Sequence, residues 1–99
     1  MGARISHYDG APSWHTIENL GVQLEHVTTS GQWRHLKPLF DGSLRGPVSV
    51  SPRDAARIGD YLESAAGHRL MPGNWADLAR KIAKAAHRAA NRNQQWTWE

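Results

Sequence analysis

Apolar and polar positions alternate with a helical period over much of the chain. In the first such stretch, Ile17, Leu20 and Leu24 recur at spacings of three and four residues, the repeat that places side chains on one face of an α-helix. Ser13 can cap this helix, because its hydroxyl accepts a hydrogen bond from a free N–H of the first turn. We expect Gly31 to end it, since glycine readily takes the left-handed conformation found after helix C-termini.

A second helix is predicted directly after Ser51. This residue offers a capping hydroxyl, Pro52 suits the first helical position, and Asp54 stands where a capping box usually has Glu. Gly67 is placed to end the helix. Between the first two helices, residues 33–40 also have helical spacing, but Pro38 limits regular structure. We therefore expect only a short helical turn there.

A third helix is predicted over residues 75–93, with Asn74 as its cap. One side of this helix is mostly alanine. The opposite side carries Arg80, Lys81, Lys84, His87 and Arg88. Because alanine is small, a neighbouring element must approach closely, and Gly21 and Gly59 on the first two helices are predicted to permit that approach.

Three short segments, residues 3–7, 48–50 and 95–99, read as β-strands. We expect the C-terminal strand, Trp96-Thr97-Trp98, to pair with residues 48–50, with residues 3–7, or with both. The predicted fold class is therefore α+β, with three amphipathic helices, the second and third antiparallel, packed on a small sheet of short strands. A chain of 99 residues suffices for one core, so residues 1–99 are predicted to form a single compact domain.

Composition excludes several classes of protein. There is no cysteine, which removes disulfide scaffolds, thiol nucleophiles and cysteine-ligated metal sites. No apolar run approaches the roughly 20 residues of a membrane-spanning helix, and the N-terminal residues lack the apolar core of a secretory signal. We therefore expect a cytoplasmic protein that does not associate with membranes.

The formal net charge of +3 lies entirely in the second half of the chain. Most of these cations belong to the third predicted helix, where they form a line that an anionic partner could bind. Trp96 and Trp98 follow on the same strand face, so both rings are buried under that helix or both are presented beside it. We favour burial, but keep both as candidates. The candidate binding residues are Arg80, Lys81, Lys84, Arg88, Arg92, Trp96 and Trp98.

No motif of nucleophilic catalysis, phosphate-loop binding or metal binding occurs in the chain. The six histidines lack metal-ligand spacing, so no metal, cofactor or catalytic residue is predicted. One enzymatic alternative stays open, in which His7, His35 and His68 converge near Asp9 or Asp41.

Several short motifs together resemble small hypothetical proteins of actinobacteria. They are Gly2 with Ile5-Ser6-His7, the Ser51-Pro52 helix start with Ala55 and Ile58-Gly59, and Trp75-Ala76-Asp77-Leu78-Ala79 before an Ala/Arg-rich helix and a Trp-x-Trp end. The resemblance implies a bacterial protein, or one from an actinobacterial phage or mobile element. That group has no assigned activity, so no mechanism follows.

Three functional hypotheses follow from these patterns. The first is a non-catalytic binding or regulatory module that recognises a macromolecular partner, which we take to be a protein. The second is a nucleic-acid-binding protein that uses the basic face of the third helix. The third is a small enzyme or accessory subunit that uses the loop histidines.

Overall fold

The computed structural model describes residues 2–44 and 46–99. These residues form four helices and two strands, in the order α1 (Trp14–Val27), α2 (Ser30–Phe40), β1 (Val48–Val50), α3 (Pro52–Ala66), α4 (Gly73–Asn91) and β2 (Trp96–Trp98). The predicted α+β class and the C-terminal strand are confirmed. The prediction of three helices is wrong, because the segment between α1 and β1 is itself a helix.

Helix α2 begins one residue before the glycine that was expected to end α1. Thr29 forms a full capping box with Gln32, in which each side chain bonds the other residue's backbone N–H. Gly31 is therefore the second residue of α2, and α1 ends earlier, at Val27. Pro38 lies within the last turn of α2 and does not stop it before Phe40. The hydrogen bond lost at Pro38 is offset by burial of the apolar residues on both sides of it, Leu36, Leu39 and Phe40.

Helices α3 and α4 pack together along their length. Ser51 caps α3 as predicted, with its hydroxyl accepting the N–H of Asp54. The two helices are antiparallel: Arg80, early in α4, donates to the carbonyl of Ala66 at the end of α3. Further along α4, a histidine ring approaches Gly59 in the middle of α3. Close approach is possible because the buried residues of α4 are alanines apart from Ile82.

Two details of the helices differ from the prediction. They are the residue at which α4 begins and the helix that Gly21 faces. Helix α4 begins at Gly73, after Pro72, and has no side-chain cap, so Asn74 lies inside the helix. It ends at Asn91 and not at residue 93. Gly59 does face α4, but Gly21 faces the carbonyl of Phe40 at the end of α2. The additional helix, α2, therefore packs against Gly21 of α1, in the place predicted for the last helix of the chain.

Strand β2 lies between β1 and the N-terminal segment. It pairs antiparallel with β1, with Val48 opposite Trp98. On its other side, Ile5 forms an isolated bridge with Trp98, and the Ser6 N–H donates to the carbonyl of Thr97. The tail thus pairs with both segments, but residues 3–7 form no continuous strand because the chain turns at His7, where φ is 63°.

The core lies between the helices and the buried face of β2. Trp96 and Trp98 are both fully buried, and the Trp98 ring packs edge-on against Phe40 with ring centroids 5.4 Å apart. Within the two described ranges, no helix is long and apolar enough to cross a membrane.

Candidate anion-binding site

Five of the seven candidate binding residues lie on the surface, and two do not. The exposed ones are Arg80, Lys81, Lys84, Arg88 and Arg92. The rings of Trp96 and Trp98 have no exposed area and stack edge-on at 5.2 Å, and the Trp96 Nε1 donates to the carbonyl of Ser6. The two indoles are thus part of the core, as we favoured, and do not contribute to a stacking surface.

Three of the exposed cations converge on one pocket. Lys81, Lys84 and Arg88 line it from α4, and its volume is about 290 Å³. They share a helix face because residues three and four apart on an α-helix are neighbours. The opposite wall is the N-terminal turn, His7, Tyr8 and Asp9. We call this set of six residues the basic pocket. Arg80 and Arg92 lie outside it.

The turn that forms the second wall is held in place by the sheet. Residues before it are bonded to β2, and the Tyr8 N–H donates to the carbonyl of Ile5 at 3.3 Å. His7 adopts a left-handed backbone conformation, which reverses the chain at this point. Its carbonyl then accepts a hydrogen bond from Arg88 Nη1 at 3.3 Å. This contact joins residues 81 positions apart and fixes the guanidinium at the rim of the pocket.

The positive charge of the basic pocket is only partly balanced. Across residues 2–44 and 46–99, the ion pairs are Arg57 with Asp54, Arg80 with Asp77, and His87 with Asp60. None involves a residue of the pocket. Three cations therefore face one carboxylate, that of Asp9, across a concave surface, which concentrates the positive potential there.

Arg80 differs from the pocket cations although it lies on the same helix. Its guanidinium is 3.6 Å from the Asp77 carboxylate and also donates to the carbonyl of Ala66 at 3.3 Å. These contacts hold its side chain toward the α3–α4 loop. The uncompensated charge of α4 is therefore concentrated on the face that meets the N-terminal turn.

Tyr8 contributes a neutral donor group to the pocket wall. Partial burial raises the pKa of its phenol above the usual value, because desolvation disfavours the phenolate. The hydroxyl therefore stays protonated at neutral pH and can donate a hydrogen bond to an anion.

Residues 6–99 match the family described as Domain of unknown function (DUF7739). The chain belongs to this family. The matched stretch contains both walls of the basic pocket, from His7 to Arg88. No curated protein and no solved structure matches the chain. Membership of DUF7739 agrees with the resemblance to small hypothetical proteins, and it assigns no activity to the pocket.

The loop histidines do not converge in this DUF7739 protein. His7 lies in the basic pocket. His35 belongs to α2, where its ring packs on Tyr61 at 5.9 Å, and His68 accepts a hydrogen bond from the backbone of its own loop. No group of three metal-binding side chains occurs in the part of the chain that the structure describes.

Asp41, the other acid of the enzymatic hypothesis, has a local role. Its carboxylate accepts hydrogen bonds from the side chain and backbone of Ser43. The side-chain hydrogen bond from Ser43 lowers the pKa of Asp41. Asp41 thus stabilises the turn after α2. Of the two acids in the enzymatic hypothesis, only Asp9 lies in a pocket with one of its three histidines, His7.

Sequence reasoning identified one wall of the pocket and missed most of the other. The cations of α4 follow from helical spacing, whereas His7 and Asp9 entered only the enzymatic hypothesis and Tyr8 entered none. No signal in the sequence links these residues to α4, because more than 70 residues separate the two walls of the pocket. The hydrogen bond from Arg88 to His7 gives no signal either, since it is accepted by the His7 backbone and not by its side chain.

Proposed function

We propose that this protein is a non-catalytic binding module that docks an acidic segment of a protein partner in the basic pocket. The observation that carries the proposal is the convergence of Lys81, Lys84 and Arg88, none of them ion-paired within the described residues, on one concave surface. We also propose that the module acts in the cytoplasm of an actinobacterium and is encoded by the bacterium or by one of its phages or mobile elements. The lack of cysteine fits a reducing compartment.

The composition of the pocket favours a protein segment as the ligand. Asp9 and Tyr8 lie with the cations in the pocket lining, so polar and charged groups like those of an interface rim stand beside an aromatic side chain, a type enriched in protein interfaces. Nucleic-acid bases would find no stacking platform in Trp96 or Trp98, whose rings are buried.

Nucleic-acid binding is the second candidate. It is favoured by the linear arrangement of exposed cations along α4, from Lys81 through Lys84 and Arg88 to Arg92 at the helix end. Cations on successive turns of a rigid helix can contact successive phosphates of one strand.

Fluorescence anisotropy with two labelled probes separates the candidates. One probe is a synthetic peptide rich in Glu and Asp, and the other is a DNA duplex of similar net charge. We expect the peptide to bind more tightly at equal ionic strength. The triple variant Lys81→Gln, Lys84→Gln and Arg88→Gln is expected to weaken peptide binding by about tenfold, because three exposed ion pairs contribute roughly 0.2–1 kcal/mol each.

A matched triple variant controls for the loss of net charge. Arg34, Lys37 and Arg53 are exposed and lie outside the basic pocket, so their replacement by Gln removes the same charge elsewhere. Peptide affinity should change by less than about threefold in this control. Equal losses in the two triple variants, or tighter binding of the duplex than of the peptide, would refute the proposal. The second of these results would support nucleic-acid binding.

A further inference from the structure

The charge balance of the basic pocket points to a particular anion. Lys81, Lys84 and Arg88 carry three positive charges, and Asp9 carries one negative charge, so these four residues have a net charge of two. A phosphate monoester carries about −1.5 to −2 at pH 7, whereas a carboxylate carries one charge. We propose that the basic pocket binds a phosphate monoester, presented by a phosphorylated side chain of the acidic partner segment. This inference rests on the proposed function.

The hydrogen-bond donors of the pocket match the same group. Three cationic side chains can each face one of the three terminal oxygens of a phosphate monoester. Arg88 has one N–H bonded to the His7 carbonyl, which leaves its other N–H groups available. Because this bond already holds the guanidinium, ligand binding costs less side-chain entropy than it would at a free arginine. Tyr8 adds a neutral hydroxyl on the opposite wall.

The extent of the pocket distinguishes this ligand from a nucleic-acid strand. A volume of about 290 Å³ accommodates one phosphate with the side chain that bears it. The nearest other cation on α4, Arg80, is engaged by Asp77 and Ala66. Arg92 at the helix end also has no ion pair among the described residues, but the three pocket cations line one cavity, as a single doubly charged group requires.

The proposal is tested with three peptides that differ at one position. They share an acidic sequence and carry serine, phosphoserine or glutamate at the centre, and their affinities are measured by fluorescence anisotropy. We expect phosphoserine to increase affinity by about tenfold or more over serine, since the phosphate adds one to three charge-assisted hydrogen bonds. Glutamate should bind within about threefold of serine, because it adds one charge and two oxygens.

Two single variants show whether the gain arises in the pocket. Lys84→Gln should reduce the phosphoserine gain to less than about threefold, while Arg53→Gln, an exposed cation outside the pocket, should preserve it. Asp9→Asn should enlarge the gain, because it removes the negative charge that faces the phosphate. A gain that persists in Lys84→Gln, or that falls in Asp9→Asn, would overturn the assignment to this pocket.

The remaining outcomes separate this inference from the proposed function. Equal affinity for the serine and phosphoserine peptides overturns the phosphate proposal and leaves acidic-segment binding standing. Failure of all three peptides to bind overturns both proposals. A 5′-phosphate on an oligonucleotide serves as the comparison arm, and a larger gain there than on serine would overturn the assignment to a protein partner.

Discussion

Replacing Gly21 with alanine tests the closest contact between α1 and α2. A Cβ built on Gly21 lies 2.0 Å from the carbonyl oxygen of Phe40, whereas ordinary contacts of a Cβ begin at 3.4 Å. The obstacle is backbone and cannot be relieved by a side-chain rotation. The end of α2 must therefore move by at least about 1 Å from α1 in a densely packed interior.

The expected loss of stability follows from three contributions. Overpacking of this kind costs about 1–3 kcal/mol. Movement of Phe40 also weakens its edge-on contact with Trp98, and such contacts contribute about 0.5–1.5 kcal/mol. Alanine in place of glycine within a helix returns about 1 kcal/mol. We expect a net loss of about 2 kcal/mol in the free energy of unfolding, which lowers Tm by roughly 8–16 °C in a domain of this size.

Gly31→Ala is the matched control. Gly31 lies exposed in the first turn of α2, and the nearest atom to a Cβ there is the Thr29 hydroxyl oxygen at 4.0 Å. This variant should gain about 0.4–1 kcal/mol, because alanine restricts the unfolded chain without strain. Thermal unfolding followed by circular dichroism measures both variants. An unchanged Tm in Gly21→Ala would refute the close packing of α1 on α2, and a lower Tm in Gly31→Ala would refute the start of α2.

Two further comparisons test the helix caps and the buried indoles. Ser51→Ala should cost about 1 kcal/mol by loss of the α3 cap. Asn74→Ala should change stability by less than about 0.5 kcal/mol, because Asn74 caps nothing. Equal losses of stability for the two variants in thermal unfolding would contradict the observed start of α4. Trp96→Phe should cost about 1 kcal/mol more than Trp98→Phe, since the Trp96 Nε1 is hydrogen-bonded and the buried Trp98 Nε1 has no partner among the described residues. Urea unfolding measures the difference, and a larger loss in Trp98→Phe would disprove the reasoning.

The helix starts that depend on local chemistry could be predicted from the sequence. Ser13 and Ser51 each cap a helix, because a hydroxyl and the N–H three residues later need no distant partner. The separation of apolar and basic residues onto opposite sides of α4 could also be predicted, because helical geometry alone produces it. The sequence thus predicted where the cations of α4 would lie.

The errors occurred where two local interpretations competed. The segment around Thr29 and Gly31 can end one helix or begin another, and burial of Leu36 and Phe40 in the core favours the second. Pro38 predicts no more than a short helical turn, but tertiary packing of α2 outweighs the loss of one backbone hydrogen bond. Asn74 is a residue type that often caps helices, whereas α4 begins at Gly73, two residues before the predicted start.

The sequence by itself determined the α+β class, the line of cations on the last helix and the alternation of Trp96 and Trp98. Only the tertiary structure decided that both indoles are buried and that the cations face the turn of His7, Tyr8 and Asp9. The physical reason is that helical and strand periods are set by neighbours along the chain. The basic pocket depends instead on the pairing of Ile5 with the C-terminal strand, which the strand patterns allowed as one of several pairings but could not select, because it joins the two ends of the chain.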